Sequence, residues 1–179
     1  MTIDYVDVSD PALVDWDVGR VLAAGGTPVT LSESRLDSVP MVIDAIIARA
    51  GAPQAIDLLR IHAHGAPGSQ GVNDSHGYSG FFFNAFDLDY TRDSPEVFGR
   101  LRRYFAPNGR VELHGCNVGA GHRGTLLLLR LARIWQVPVS AGIGTQYCAF
   151  NFDGAFRTAY PNGRVRRTLN TRHQLVSCD

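Results

Sequence analysis

The sequence predicts an α/β domain: a mostly parallel sheet, helices on both faces and a C-terminal β-hairpin. Apolar strand-forming runs alternate with stretches of helical periodicity from Ile3 to Ile61, and such alternation requires crossover connections between parallel strands. Two of the apolar runs, Leu58–Gly68 and Val111–Gly121, break into glycines at their ends, as strands do where they enter ligand-binding loops. Near the end of the chain, alternating runs flank Pro161-Asn162-Gly163, a turn sequence.

In chain order, Ile3–Val8 alternates apolar residues with Asp and reads as a strand. Asp10 and Pro11 open a helix carrying Leu13, Val14, Trp16, Val21 and Leu22 to Ala24, which Gly25 and Gly26 stop. Thr27–Leu31 is a short second strand. Ser38 caps a helix opened by Pro40, with Val42, Ile43, Ile46 and Ile47 inward, ending near Gly51 and Pro53. Ile56–His62 is the third strand. Residues 65–93 break the rhythm with glycines and an aromatic run, Phe81, Phe82, Phe83 and Phe86, which favour an ordered hairpin. A helix over Val97–Phe105, halted by Pro107, Asn108 and Gly109, precedes the fourth strand, with Cys116 at its end. Thr125–Trp135 is helical, Val137–Ala141 a fifth strand, and Ala155–Tyr160 with Arg164–Leu169 the hairpin. No linker, repeat or low-complexity tract divides residues 1–179, so a single domain is expected.

The 17 acidic residues balance the 17 basic ones, so charge points to neither nucleic acid nor membrane. Every basic residue is Arg, which excludes a Schiff-base lysine and a P-loop lysine. No apolar run reaches the roughly 20 residues of a membrane span, and no signal pattern opens the sequence, so a cytoplasmic location is expected. Cys116, Cys148 and Cys178 are odd in number and irregularly spaced, against a disulfide framework; Cys148 and Cys178 read as structural or incidental, His76 and His122 as loop residues.

Side chains two apart on a strand share a face. Arg60, His62 and His64 therefore form one row, and Glu112, His114 and Cys116 another. If the two strands are neighbours, roughly 4.8 Å apart, the rows align as Arg60 with Glu112, His62 with His114 and His64 with Cys116. Strands covered on both sides are ordinarily almost wholly apolar, so this polar row needs a reason. An imidazole that takes the thiol proton makes Cys116 a nucleophile towards an acyl carbon, with His64 protonating the leaving amine. The backbone N–H groups of Gly65 and Cys116 would hold the oxyanion. Two further readings stand beside this one. His62, His64, His114 and Cys116 form a legitimate zinc ligand set, and a non-catalytic recognition module would use the aromatic loop Phe81–Phe86 for a partner.

His64-Gly65 at one strand end and Gly115-Cys116 at the next resemble the caspase-like cysteine peptidases, a superfamily that includes caspases, legumains, gingipains, clostripains and separases. Ile61-His62-Ala63-His64-Gly65-Ala66-Pro67-Gly68 and Leu113-His114-Gly115-Cys116-Asn117-Val118-Gly119-Ala120-Gly121 are closer still to a bacterial caspase-like domain family with SHGSPG and YGCNVAAG motifs. His114 stands where that family has an aromatic residue. The resemblance spans roughly residues 3–145. It implies a three-layer caspase-like sandwich, a His64/Cys116 dyad with Gly65 at the oxyanion hole, no cofactor, and a peptide or protein substrate. It also implies a pocket beside the dyad for the residue before the cleaved bond. Asp87, Asp89 or Asp153 there would favour a basic side chain, and Arg157 an acidic one. Oligomeric state and substrate are not written in the sequence.

Overall fold

The computed structural model describes residues 1–6, 18–30, 39–73, 81–84, 95–146 and 151–170. The expected roles of Pro11 and Ser38 at helix starts, and Phe86, Cys148 and Cys178, lie outside them. The strands are β1 (Thr2–Val6), β2 (Ile56–His62), β3 (Gly65–Ala66), β4 (Ser69–Asn73), β5 (Phe81–Asn84), β6 (Phe105–His114), β7 (Val139–Gly142), β8 (Ala155–Ala159) and β9 (Val165–Leu169). The helices are α1 (Gly19–Ala23), α2 (Val39–Ala50), α3 (Pro95–Gly99) and α4 (Gly121–Trp135).

A six-stranded sheet runs β1-β2-β6-β7-β8-β9. Its first four strands are parallel, and β8 and β9 return antiparallel. The second strand expected at Thr27–Leu31 is a single parallel bridge, Tyr5 to Val29, on the edge of β1 away from β2. Val29 N–H donates to Asp4 O at 2.8 Å, and Val6 N–H to Val29 O at 2.9 Å. The chain thus leaves β1 to one side, through α1, and comes back on the other, through α2, to β2. Such a reversal of direction is the switch point at whose carboxyl side open α/β sheets take ligands.

From β2 onward every step goes the same way, to β6 and then β7. Right-handed crossovers in one direction place their helices on one face, and α2, α3 and α4 do share it. Val42, Ile43 and Ile46 of α2, Phe98 of α3 and Leu127, Leu128, Leu131 and Trp135 of α4 form one cluster. They close on Ile3, Tyr5, Leu59, Ile61, Val111, Leu113, Val139 and Ala159 of the sheet. Each Val, Leu, Ile or Phe among them contributes about 1.5–3 kcal/mol by leaving water. Val21 of α1 is buried outside that cluster.

Local chemistry sets the element ends. Gly51, at φ +70°, ends α2 where the sequence predicts. Gln136 ends α4 in the left-handed region at φ 59°, its N–H donating to Ala132 O at 2.9 Å. The C-terminal hairpin forms as expected, closed by Gly163 at φ +87° and its N–H to Tyr160 O. β3, β4 and β5 form a small antiparallel sheet, in which β4 and β5 pair as a hairpin and β3 adds a further strand.

Candidate active site

The opposite face of the sheet carries a polar row that crosses every strand. Asp4 pairs in register with Arg60, Arg60 with Glu112, Glu112 with Ser140, Ser140 with Thr158 and Thr158 with Arg166. Arg60 Nη1 lies 3.3 Å from Asp4 Oδ1, and Arg60 Nε 3.2 Å from Glu112 Oε2. Ser140 and Thr158 share a hydroxyl hydrogen bond of 2.8 Å.

Two residues nearer the carboxyl ends, His62 pairs with His114. Their rings stack at 5.0 Å between centroids, and His114 stacks in turn on Phe152 at 4.9 Å. A carboxylate only accepts, so His62 Nε2–H donates to Asp4 Oδ1 at 3.1 Å and His114 Nε2–H to Glu112 Oε2 at 3.3 Å. Burial pushes His114 down from 6.5 to about 4, against the opposing hydrogen bond to Glu112, so the imidazole is neutral. Burial would raise both carboxyls. For Asp4 the His62 hydrogen bond and the charges of His62 and Arg60 outweigh it, and for Glu112 the corresponding contacts with His114 and Arg60 do so, leaving both below their ordinary values.

The ladder ends at His62 and His114, and beyond it both chains turn into loops that dock backbone to backbone. A Cβ on Gly65 would fall 2.5 Å from Val118 Cγ2, 2.7 Å from the Gly115 carbonyl carbon and 2.8 Å from Cys116 O. Only glycine permits that approach. Gly68 N–H donates to Val118 O at 3.0 Å, and Gly71 N–H to His64 O at 2.8 Å. The two predicted motifs, His64-Gly65 and Gly115-Cys116, are therefore brought together at the rim of the sheet. His64 is exposed and Cys116 half-buried.

Residues 116–119 also lean on the end of β7. Asn117, at φ 62°, donates its N–H to Gly144 O at 2.9 Å, and Gly119 N–H donates to Gly142 O at 2.8 Å. Cys116 Sγ faces the backbone of Gln146, accepting its N–H at 3.4 Å and lying 3.7 Å from its carbonyl oxygen. Sequence reasoning missed Gln146, because nothing local marks a glutamine whose partners lie 30 residues away. It missed Gln70 as well. This residue is fully buried, its Nε2–H donates to Gly71 O at 3.0 Å, and its Oε1 stands against Gly115 with no hydrogen-bond partner among the described residues. A lone amide among glycines was the available signal.

The remaining expected site residues fall in three places. Asp87, Asp89 and His76 lie outside the described residues. Asp153 is joined to the Gln146 loop, its N–H donating to Gln146 Oε1 at 3.0 Å. Arg157, expected in a substrate pocket, instead ties the start of α4. Its Nη1 donates to Gly119 O at 2.5 Å, to Gly121 O at 2.8 Å and to Thr125 Oγ1 at 2.8 Å. In strand register it lies with Ala141, on the helix-covered face. His122 is exposed in the first turn of α4.

The alternative zinc set also fails on geometry. His62 and His114 lie face to face with each Nε2 turned to its own carboxylate. Among the described residues no group of three or more His, Cys, Asp or Glu side chains is placed to hold a metal ion. A groove of about 630 Å³ runs along the polar face beside Glu112, Ser140, Phe152 and Thr158, and neither His64 nor Cys116 lines it. No helix among the described residues is long and apolar enough to cross a membrane. Comparison with family models, curated proteins and solved structures finds no match for the chain.

Proposed function

We propose that the protein is a caspase-like cysteine endopeptidase with Cys116 as nucleophile and His64 as general acid and base. The observation that carries this reading is the contact of Gly65 with Gly115 and Cys116, which joins the two motif-bearing loops at the carboxyl ends of adjacent parallel strands. Support also comes from the chain reversal at β1, the kind of switch point at whose carboxyl side open α/β sheets take ligands.

In this mechanism the Cys116 thiolate attacks the peptide carbonyl carbon, and the N–H groups of Gly65 and Cys116 receive the charge that develops on oxygen. His64 gives its proton to the leaving amine, and the C–N bond breaks to leave a thioester. Water, losing a proton to His64, then releases the acid and restores the thiol. Of the expected specificity residues, Asp153 is joined through its main-chain N–H to the Gln146 loop that meets Cys116, and its carboxylate would favour a basic side chain before the cleaved bond.

Peptide-library cleavage and labelling by an electrophilic peptide test the proposal. Both are expected to vanish in Cys116→Ala and in His64→Ala, with thermal stability nearly unchanged. Undiminished turnover in either variant overturns the dyad. A wild-type thiol that reacts only slowly and cleaves nothing would leave a recognition module.

A further inference from the structure

We propose that the outer edge of β9 is a docking site for an extended acidic segment of a partner protein, which joins the large sheet as an added strand. This edge lies at the far end of the sheet from β1, beyond β7 and β8, and takes nothing from the peptidase reading.

No strand lies beyond β9 among the described residues, and the hairpin decides which of its backbone groups face outward. Tyr160 N–H donates to Arg164 O and Asn170 N–H to Gly154 O, both at 2.9 Å. In the same register Arg166 stands opposite Thr158 and Thr168 opposite Phe156, so these residues of β9 bond to β8. Antiparallel ladders alternate between bonded and non-bonded pairs. Val165, Arg167 and Leu169 therefore turn their N–H and C=O groups away from β8, as a row that another strand can pair with.

The side chains say which strand fits. Between Tyr160 and Asn170 the chain carries Arg164, Arg166 and Arg167 and no acidic residue, and all three arginines are exposed. Leu169 is 65% exposed, more than any other large apolar side chain among the described residues. Helix α4 passes over β8 antiparallel to β9: Thr125, near its start, meets Arg157 at 2.8 Å, and Arg133, near its end, lies 3.8 Å from where a Cβ on Gly163 would be. The exposed Arg133 thus stands at the turn, while the exposed Leu126 lies towards the other end of the helix. A second copy paired here with its Val165 against Leu169 would set Arg167 against Arg167, and like charges directly opposite destabilise a pair. A strand with a carboxylate opposite Arg167 and apolar residues opposite Val165 and Leu169 matches both the charge and the apolar surface. Arginines on an edge can also serve only to repel other strands, and binding separates the two roles.

The test is binding of the fluorescein-labelled peptide Thr-Val-Thr-Glu-Glu-Val-Thr to the full chain, read by anisotropy at physiological salt, with Thr-Val-Thr-Lys-Lys-Val-Thr as its counterpart. The expected result is saturable binding of the acidic peptide alone, weakened about tenfold in Arg167→Glu, which takes up the lysine peptide instead. Methylating the backbone nitrogen of the first Glu, the residue set opposite Arg167, is expected to abolish binding by removing a ladder donor. Binding of neither peptide, equal binding of both, or indifference to the methyl group overturns the proposal. A single-stranded oligonucleotide that binds more tightly than the acidic peptide and is lost in Arg167→Glu overturns it in favour of a nucleic-acid contact. Sedimentation showing a dimer that excludes the peptide overturns it in favour of a second copy. If Arg167→Glu does not fold, the methylated peptide decides on the unaltered chain. Neither readout involves Cys116, so docking can fail in an active peptidase or hold in a protein that cleaves nothing.

Discussion

Arg60 stands between two carboxylates, 3.3 Å from Asp4 and 3.2 Å from Glu112, with its side chain 18% exposed. Removing a largely buried cation leaves its partners' charges uncompensated, which costs more than the pair itself is worth. Arg60→Met is therefore expected to destabilise the fold by about 3 kcal/mol, seen as a lower urea midpoint. An unchanged midpoint would show that the carboxylates find other compensation. Arg157→Met is expected to cost about 2 kcal/mol by freeing the carbonyls of Gly119 and Gly121, with no change in the peptide preference of the proposed peptidase activity. A shift towards or away from acidic peptides would return Arg157 to the substrate pocket. At this scale the sequence was readable where residues two apart on one strand stand opposite residues two apart on its neighbour, as Arg60 and His62 do Glu112 and His114. Asp4 could not be found as their third member. Strand order decides which residue of β1 faces Arg60, and spacing within β2 and β6 carries no trace of it.

The loops at the ends of β2 and β6 depend on bare backbone. Gly65→Ala would press a methyl against the Gly115 carbonyl carbon and Cys116 O, which are backbone atoms and cannot swing aside. Overpacking of this kind costs about 1–3 kcal/mol. The expected outcome is a lowered melting temperature together with altered Cys116 labelling. Unchanged labelling would uncouple the two loops. Gly124 plays the corresponding part on α4, since a Cβ there would lie 2.3 Å from the Gly119 carbonyl carbon.

Elements came out of the sequence best where their periodicity is long. The helix predicted from Thr125 to Trp135 begins one turn earlier, at Gly121, because glycines masked its first turn. β6 begins at Phe105, before the Pro107-Asn108-Gly109 stretch that reads as a stop. The strand passes through it by a register shift between Ile56 and Leu58 of β2, their partners being Phe105 and Arg110. A bulge absorbs residues that local turn chemistry alone would assign to a loop. Arg157 and Gln146 were illegible for the same reason, as each acts on a segment that only the assembled sheet brings near.

Across the whole molecule, the buried polar row makes the fold sensitive to acid. His114 titrates near 6.5 when unfolded and at about 4 when folded. Between those values the unfolded chain binds more protons, so stability falls as pH falls, by roughly 3 kcal/mol from this group. Asp4 and Glu112, held below their ordinary values, act in the same direction further down: their contribution is full above the ordinary carboxylate range and is lost as pH drops through the lowered values. The urea midpoint is expected to decline steadily from pH 7 towards 4. In His114→Phe, which keeps a flat ring against Phe152, the upper part of that decline should flatten. A wild-type midpoint independent of pH across this range would mean that His114 titrates alike in both states.

The central strands β2 and β6 are joined to each other but separated by about 50 positions of chain, from Arg60 to Glu112. Zipping that pair is a late, entropically costly event in assembly, because a long loop must close first. Neither motif-bearing loop has a scaffold until it has happened. Labelling of Cys116 by an electrophilic peptide and native structure should therefore be lost together in a single cooperative step, and a half-assembled chain would hold neither loop in place.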